Sequence, residues 1–316
     1  MKKSALILSA FIALLASLNT ARAQDPEFTQ FYANPLYLNP AFAGAQRCPR
    51  VIMNYRNQWP ALTGQFVTTS VSYDQFICHI GGVGALFAND KAGEGTLVTN
   101  NFSLFYAKPI QITRFFSISM GFQATYAEKR VDWDKLTFGD MIDPRRGFVN
   151  PTQEVPGRGI SRYFDMSAGI LGYSKTLFFG FAVNHLTEPD EYLQVGPSPL
   201  PRKYTGHAGA MIPVGNGDTY ISPNLLYQAQ QDFRQLNMGM YVMRGPITGG
   251  LWYRDKDAFI VLIGFQQGSF KAGYSYDVTV SRLANKSSGS HELSFAMQFS
   301  CKKCPKRFRP LSCPSF

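Results

Sequence analysis

The sequence predicts an all-β protein, a transmembrane antiparallel β-barrel of about 14 strands, and three observations carry that prediction. The first is strict two-residue alternation near the end of the chain. In FKAGYSYDVTV, Phe270, Ala272, Tyr274, Tyr276, Val278 and Val280 are apolar, while Lys271, Gly273, Ser275, Asp277 and Thr279 between them are small or polar. HELSFAMQFS repeats the pattern, with Leu293, Phe295, Met297 and Phe299 against Glu292, Ser294, Ala296 and Gln298. Successive strand side chains point to opposite faces, so each of these strands has one apolar and one polar face. The second observation is composition: charged residues are only 16% of the chain and aromatics 14%, and almost no segment has the period of an amphipathic helix. Alternation repeated in segments of about ten residues is how an outer-membrane barrel is written, with lipid on one face and a polar lumen on the other.

The third observation is an export signal. Lys2 and Lys3 precede an apolar run from Ala5 to Leu18, which ends before Ala21-Arg22-Ala23. Residues 1–23 therefore read as a signal peptide, with Gln24 the first residue of the mature chain. The run is shorter than the ~20 residues of a membrane-spanning helix. No Cys follows the cleavage site to take a lipid anchor. Loss of Lys2, Lys3 and Arg22 lowers the formal net charge from +10 to +7, and the five basic residues of the tail account for all but +2 of that. A basic pI confined to a tail on an exported chain argues against nucleic acid as a partner.

Residues 49–300 hold fourteen candidate strands, near 49–58, 65–77, 80–90, 96–108, 114–128, 160–174, 176–186, 202–213, 218–230, 233–244, 247–256, 258–267, 269–281 and 289–300. The run Phe259 to Phe265 is apolar on both faces and fits the pattern least well. If the first strand runs outward, the long connections Lys129–Gly159 and Thr187–Pro201 are extracellular, and the short ones, such as Cys78-His79 and Gly245-Pro246, face the periplasm. An even strand count then places both termini in the periplasm. Fourteen strands are more than the eight whose side chains fill their own interior and fewer than the 16–18 of open porins. Such a lumen holds either a narrow water path or a piece of the chain itself.

Residues 24–48 have no regular period, and their prolines and aromatics are too apolar for a solvated linker. Two arrangements suit them. One is packing on the barrel rim. The other folds Tyr32 to Phe42 into the lumen as a hatch, with Tyr32, Asn34, Pro35, Asn39, Pro40 and Phe42 as its defining residues and the Asn-Pro pairs as turn initiators.

The run from Gln24 to Gly44, NYRNQWP at Asn54 to Pro60, GYSYD at Gly273 to Asp277 and GSHELSF at Gly289 to Phe295 together resemble the PorP/SprF family of the Bacteroidetes. That resemblance spans essentially the whole mature chain. It implies an outer-membrane protein associated with type IX secretion and gliding motility, working with secretion-system and periplasmic scaffold proteins and with a secreted cell-surface client.

Candidate chemistry is sparse. The cysteines are Cys48, Cys78, Cys301, Cys304 and Cys313, and the exported compartment permits disulfides. The expected topology puts the first three at one rim, where a Cys48–Cys78 staple fits. Cys301-x-x-Cys304 has no nearby His to complete a metal site. Asp132, Asp134, Asp140, Asp143 and Glu154 lack the regular spacing of a calcium loop and read as a solvated surface. His185 and His207 fall on consecutive strands, yet no nucleophile motif accompanies them, so the chain does not read as an enzyme and implies no cofactor. In the tail, residues 301–316, Lys302, Lys303, Lys306, Arg307 and Arg309 form a basic strip suited to an acidic periplasmic partner, or a plain spacer. The function expected is a non-enzymatic barrel of the secretion machinery, with a channel for a small or hydrophobic compound as the alternative.

Overall fold

The computed structural model describes residues 25–62, 64–143, 145–154, 157, 159–193, 198–215, 218–281 and 287–301. The expected signal peptide and the basic strip Lys302, Lys303, Lys306, Arg307 and Arg309 lie outside the described residues. Strands in chain order are β1 (Arg50–Gln58), β2 (Phe66–Ile77), β3 (Gly81–Ala92), β4 (Leu97–Gln111), β5 (Ser117–Val131), β6 (Ile142–Asp143), β7 (Gly147–Phe148), β8 (Ile160–Tyr173) and β9 (Leu177–Asn184). They continue with β10 (Lys203–Ala210), β11 (Ile212–Val214), β12 (Thr219–Gln230), β13 (Phe233–Arg244), β14 (Ile247–Arg254), β15 (Ala258–Gln267), β16 (Phe270–Thr279) and β17 (Ser290–Gln298).

These strands form a closed 14-stranded antiparallel barrel in which sequence neighbours pair. β1 and β17 meet with Arg50 opposite Gln298 and Gln58 opposite Ser290. β5 pairs with β8 across the long connection, where β6 and β7 make a small separate hairpin. β11 pairs with β12 just beyond the end of β10, so it extends the β10 position in the ring rather than adding a new one. Closure leaves no strand edge, which hydrocarbon could not satisfy.

Alternation resolves the two faces. Phe102, Leu104 and Tyr106 of β4 point outward and are exposed, whereas Ser103, Phe105 and Ala107 between them are buried in the lumen. Phe122, Phe164, Leu251 and Ile263 continue the outer apolar surface around the barrel. A soluble monomer rarely exposes contiguous apolar area of more than a few hundred Å². Lipid is the solvent this surface fits.

β15 explains its own ambiguity. Phe259, Val261, Ile263 and Phe265 face outward, and Ile260 and Leu262 are apolar because they pack inside against Phe31, Tyr32 and Trp252.

Two expectations are corrected. Cys48 is bonded to Cys301, with their Cα atoms 4.4 Å apart, so the Cys48–Cys78 staple does not form. The reason is register. Continuing the β1–β17 pairing places position 48 opposite 300, one residue from Cys301, whereas the β1–β2 pairing places it opposite 76, two residues from Cys78. Cys78 is disulfide-bonded to a different partner. The amino end also differs from the expected arrangement. Asp25 lies inside the lumen, bonded to Gln230 and His185 near the long connections, while Cys301 sits at the short-turn rim beside Cys48.

Leu104 sits at the middle of β4 on the outer apolar face and is 54% exposed. Leu104→Arg is expected to destabilise the folded barrel by about 2–4 kcal/mol, read from urea-dependent refolding into lipid vesicles.

Candidate functional site

The site is the lumen itself, which the N-terminal segment fills. Residues 28–36 and 38–44 are buried, passing through single helical turns at Phe31–Ala33, Pro35–Leu38 and Pro40–Phe42. Pro35 and Pro40 each open a turn, where a missing N–H costs nothing. Tyr32, Asn34, Pro35, Asn39, Pro40 and Phe42 are all buried in this plug, so the lumen arrangement is the one observed and the rim arrangement is not.

Three sets of contacts hold it. Near the long connections, His185 lies between two carboxylates, its Nε2 2.8 Å from Asp25 and its Nδ1 2.8 Å from Asp165. Burial disfavours the imidazolium, but the two carboxylates outweigh it and push the pKa up to about 10. Asp25 is held below the usual carboxylate range: burial raises it, and His185 and Lys203 more than offset that.

A few residues along, still near the long-connection ends of β1, β14, β16 and β17, the plug backbone is gripped by charge. The Glu292 carboxylate accepts the N–H groups of Thr29 at 2.5 Å and Gln30 at 3.1 Å. Gln30 returns a bond to the Glu292 carbonyl at 3.0 Å and accepts from Ser294 at 2.6 Å. Thr29 donates its hydroxyl to Asp277 at 2.8 Å and accepts from Arg56. Arg56, only 1% exposed, pairs with Asp277 at 2.8 Å and Glu292 at 3.3 Å, and Arg254 approaches Asp277 at 3.4 Å. Removing one partner of such a cluster strands the others, which is far costlier than the cluster's net worth.

Towards the short-turn rim, the plug runs against the wall. Asn34 donates to Ser70 at 2.9 Å. Asn39 donates to the carbonyl of Ile170 at 3.1 Å and touches His207 Nε2 at 3.3 Å, while its own carbonyl caps the next turn by accepting from the Ala41 N–H. Phe42 stacks on the His207 ring, centroids 5.4 Å apart. Ser119 donates to the Ala41 carbonyl at 3.0 Å, and Asp74, paired with Arg50 at 2.6 Å, accepts from the Gly44 N–H. Gly82, Gly121 and Gly169 give the plug its room, because a Cβ there would collide with Ala43, Ala41 and Asn39 respectively.

Residues missed by sequence reasoning are Asp25, Thr29, Gln30, Arg56, Arg254, Asp277 and Glu292. A signal was present: charged residues recur at inward positions near the ends of β1, β14, β16 and β17. His207, on β10, and His185, just past the end of β9, serve as plug contacts. In the long connection, Asp140 accepts from Thr152 and the Gln153 N–H, and Asp143 accepts from the Arg145 and Arg146 N–H groups, so both brace the loop. Between the plug and the long connections remains a cavity of about 650 Å³, lined by Phe28, Thr68, Asn101, Lys129, Lys203 and Gln228 among others.

A closed antiparallel barrel with an apolar exterior and an occupied polar lumen defines an outer-membrane β-barrel protein. Solved structures of similar shape include a Pseudomonas aeruginosa FadL homologue, at TM-score 0.46 and 10% identity over 82% of this chain and 91% of that one. The P. putida toluene transporter TodX matches at TM-score 0.46 and 8% identity over 83% and 92%, and Acinetobacter baumannii Omp33 at 0.45 and 6% over 81% and 100%. The family model of the type IX secretion system membrane protein PorP/SprF matches residues 20–297, and the chain belongs to that family. No curated protein sequence matches it significantly.

Two outcomes are expected. Arg56→Met strands buried Asp277 and Glu292 and should cost about 3–5 kcal/mol in urea unfolding. The raised pKa of His185 means that its charge stabilises the docked amino end fully below pH 6.5, decreasingly up to about pH 10, and not above it. Protease cleavage of the N-terminal segment should therefore accelerate across that window, and His185→Gln should remove the pH dependence.

Proposed function

We propose that this barrel is a non-enzymatic component of the type IX secretion or gliding machinery that assists secretion or surface attachment of a partner protein. The observation that supports it is the filled lumen: a plug anchored by paired buried charge suits a scaffold better than a conduit. In this reading the long connections face outward and meet the client. The short-turn rim and the basic tail face the periplasm and meet scaffold proteins, the tail through an acidic surface. β16 and β17, with β1, form the seam that closes on insertion.

The cavity above the plug favours a second reading, a channel for a small or hydrophobic compound that opens when the plug moves. Planar-bilayer recording separates the two: the scaffold reading expects the intact mature chain to be closed and a chain lacking residues 25–44 to conduct. Steady current through the intact chain would favour the channel. In cells, deletion of the gene is expected to remove one surface protein selectively from its normal location, read by comparing culture supernatants and surface fractions. An unchanged surface proteome would reject the scaffold role.

A further inference from the structure

The cavity between plug and long connections collects acceptors that the fold leaves without partners. Asn34 Oδ1 and Gln228 Oε1 line it on residues 1% and 7% exposed, and neither has a hydrogen-bond partner among the described residues. Glu27 Oε1 and Asn101 Oδ1, on the same lining, are also buried without one. All the unpartnered buried side-chain atoms of this lining are oxygens that accept. A buried polar group without a partner costs about 1–3 kcal/mol, so a wall of this kind suits a guest rich in donors.

Charge points the same way. Of the acids around the cavity, Asp25 and Asp165 are matched by His185, Glu191 by Lys129 at 2.6 Å, and Asp257 by Arg254 at 3.3 Å, while Asp255 and the lining cation Arg234 are exposed to solvent. Among the described residues neither Glu27 nor Asp90 makes an ion pair within 4.0 Å: Asp90 accepts from the Thr68 hydroxyl at 2.6 Å, with Lys129 acting on it only at longer range, as Arg56 does on Glu27. Phe28, Leu86 and Phe105 supply an apolar wall beside these groups. The volume falls within the ~300–1,000 Å³ of small-ligand sites.

We infer that this cavity binds a guanidinium or alkylammonium group carried on a short apolar stem. The cationic head meets Glu27 and Asp90, its N–H groups reach Asn34, Asn101 and Gln228, and the stem lies along Phe28 and Phe105. This binding goes beyond the proposed role in secretion and stands without it. Such a head group belongs either to a basic side chain in an extended peptide or to a free amine.

The test is calorimetric titration of the detergent-solubilised mature chain with capped Gly-Arg-Gly, the same peptide with neutral citrulline in place of arginine, and agmatine. The arginine peptide is expected to bind at least tenfold more tightly than the citrulline peptide, and the double variant E27Q/D90N to lose that preference. Agmatine matching the arginine peptide assigns the site to free amines; agmatine binding more weakly assigns it to a peptide segment. Equal binding of the arginine and citrulline peptides, or no binding of either, overturns the inference. The charged–neutral comparison uses the unaltered protein, so it decides the matter even if the double variant does not fold.

Discussion

Hydrocarbon offers no partner to a backbone N–H or C=O, and the rest of the structure depends on that constraint. It requires a ring in which each strand has two neighbours, closed here by β1 against β17 and by β10 against β12. A ring of fourteen strands is too wide for its own side chains to fill. The leftover volume must hold water or protein, and the wall has been built for protein. Inward positions that would be polar beside water carry Leu226, Tyr241, Trp252, Ile260 and Leu262, all buried against the plug's aromatic residues.

The plug and wall meet at a point where three distant segments converge. Arg56 comes from NYRNQWP, Asp277 from GYSYD and Glu292 from GSHELSF, and all three reach Thr29 or Gln30. These are the segments that carried the family resemblance, and their common task is to grip the N-terminal segment. A carboxylate receiving two successive backbone N–H groups works like an anion at a helix start, with the charge placed on the wall and the donors on the plug. The arrangement fixes the depth of the plug as well as its presence, since a shift of one residue would leave Arg56, Asp277 and Glu292 without their complement.

The sidedness of these contacts has a mechanical consequence. The chain enters β1 at the short-turn rim, where Gly44 bonds to Asp74, yet Asp25 lies near the long connections beside His185. The plug therefore spans the lumen and links the two ends of the barrel. Its far end rests on an ion pair bordering the cavity, and its near end is tied to the wall by Arg50, Asp74 and the Cys48–Cys301 bond at the seam. A group entering the cavity would touch Glu27 and Phe28, which belong to the plug, so occupancy above and anchorage below act on one segment.

From the sequence alone the strand count, the strand positions and the lipid-facing rows were legible, because a period of two and short turns are local properties that any ten residues can display. Residues 24–48 could be seen to be ordered, since prolines and aromatics at that density do not stay solvated, but their place could not be seen. That place depends on which inward side chains fourteen separate strands bring to one spot, and Arg56, Asp277 and Glu292 are more than two hundred residues apart at the extremes. The disulfide follows the same logic: Cys48 and Cys78 look close along the chain, and only the register across the closing seam puts Cys301 nearer. Local alternation determined the barrel, and tertiary closure decided what lies inside it.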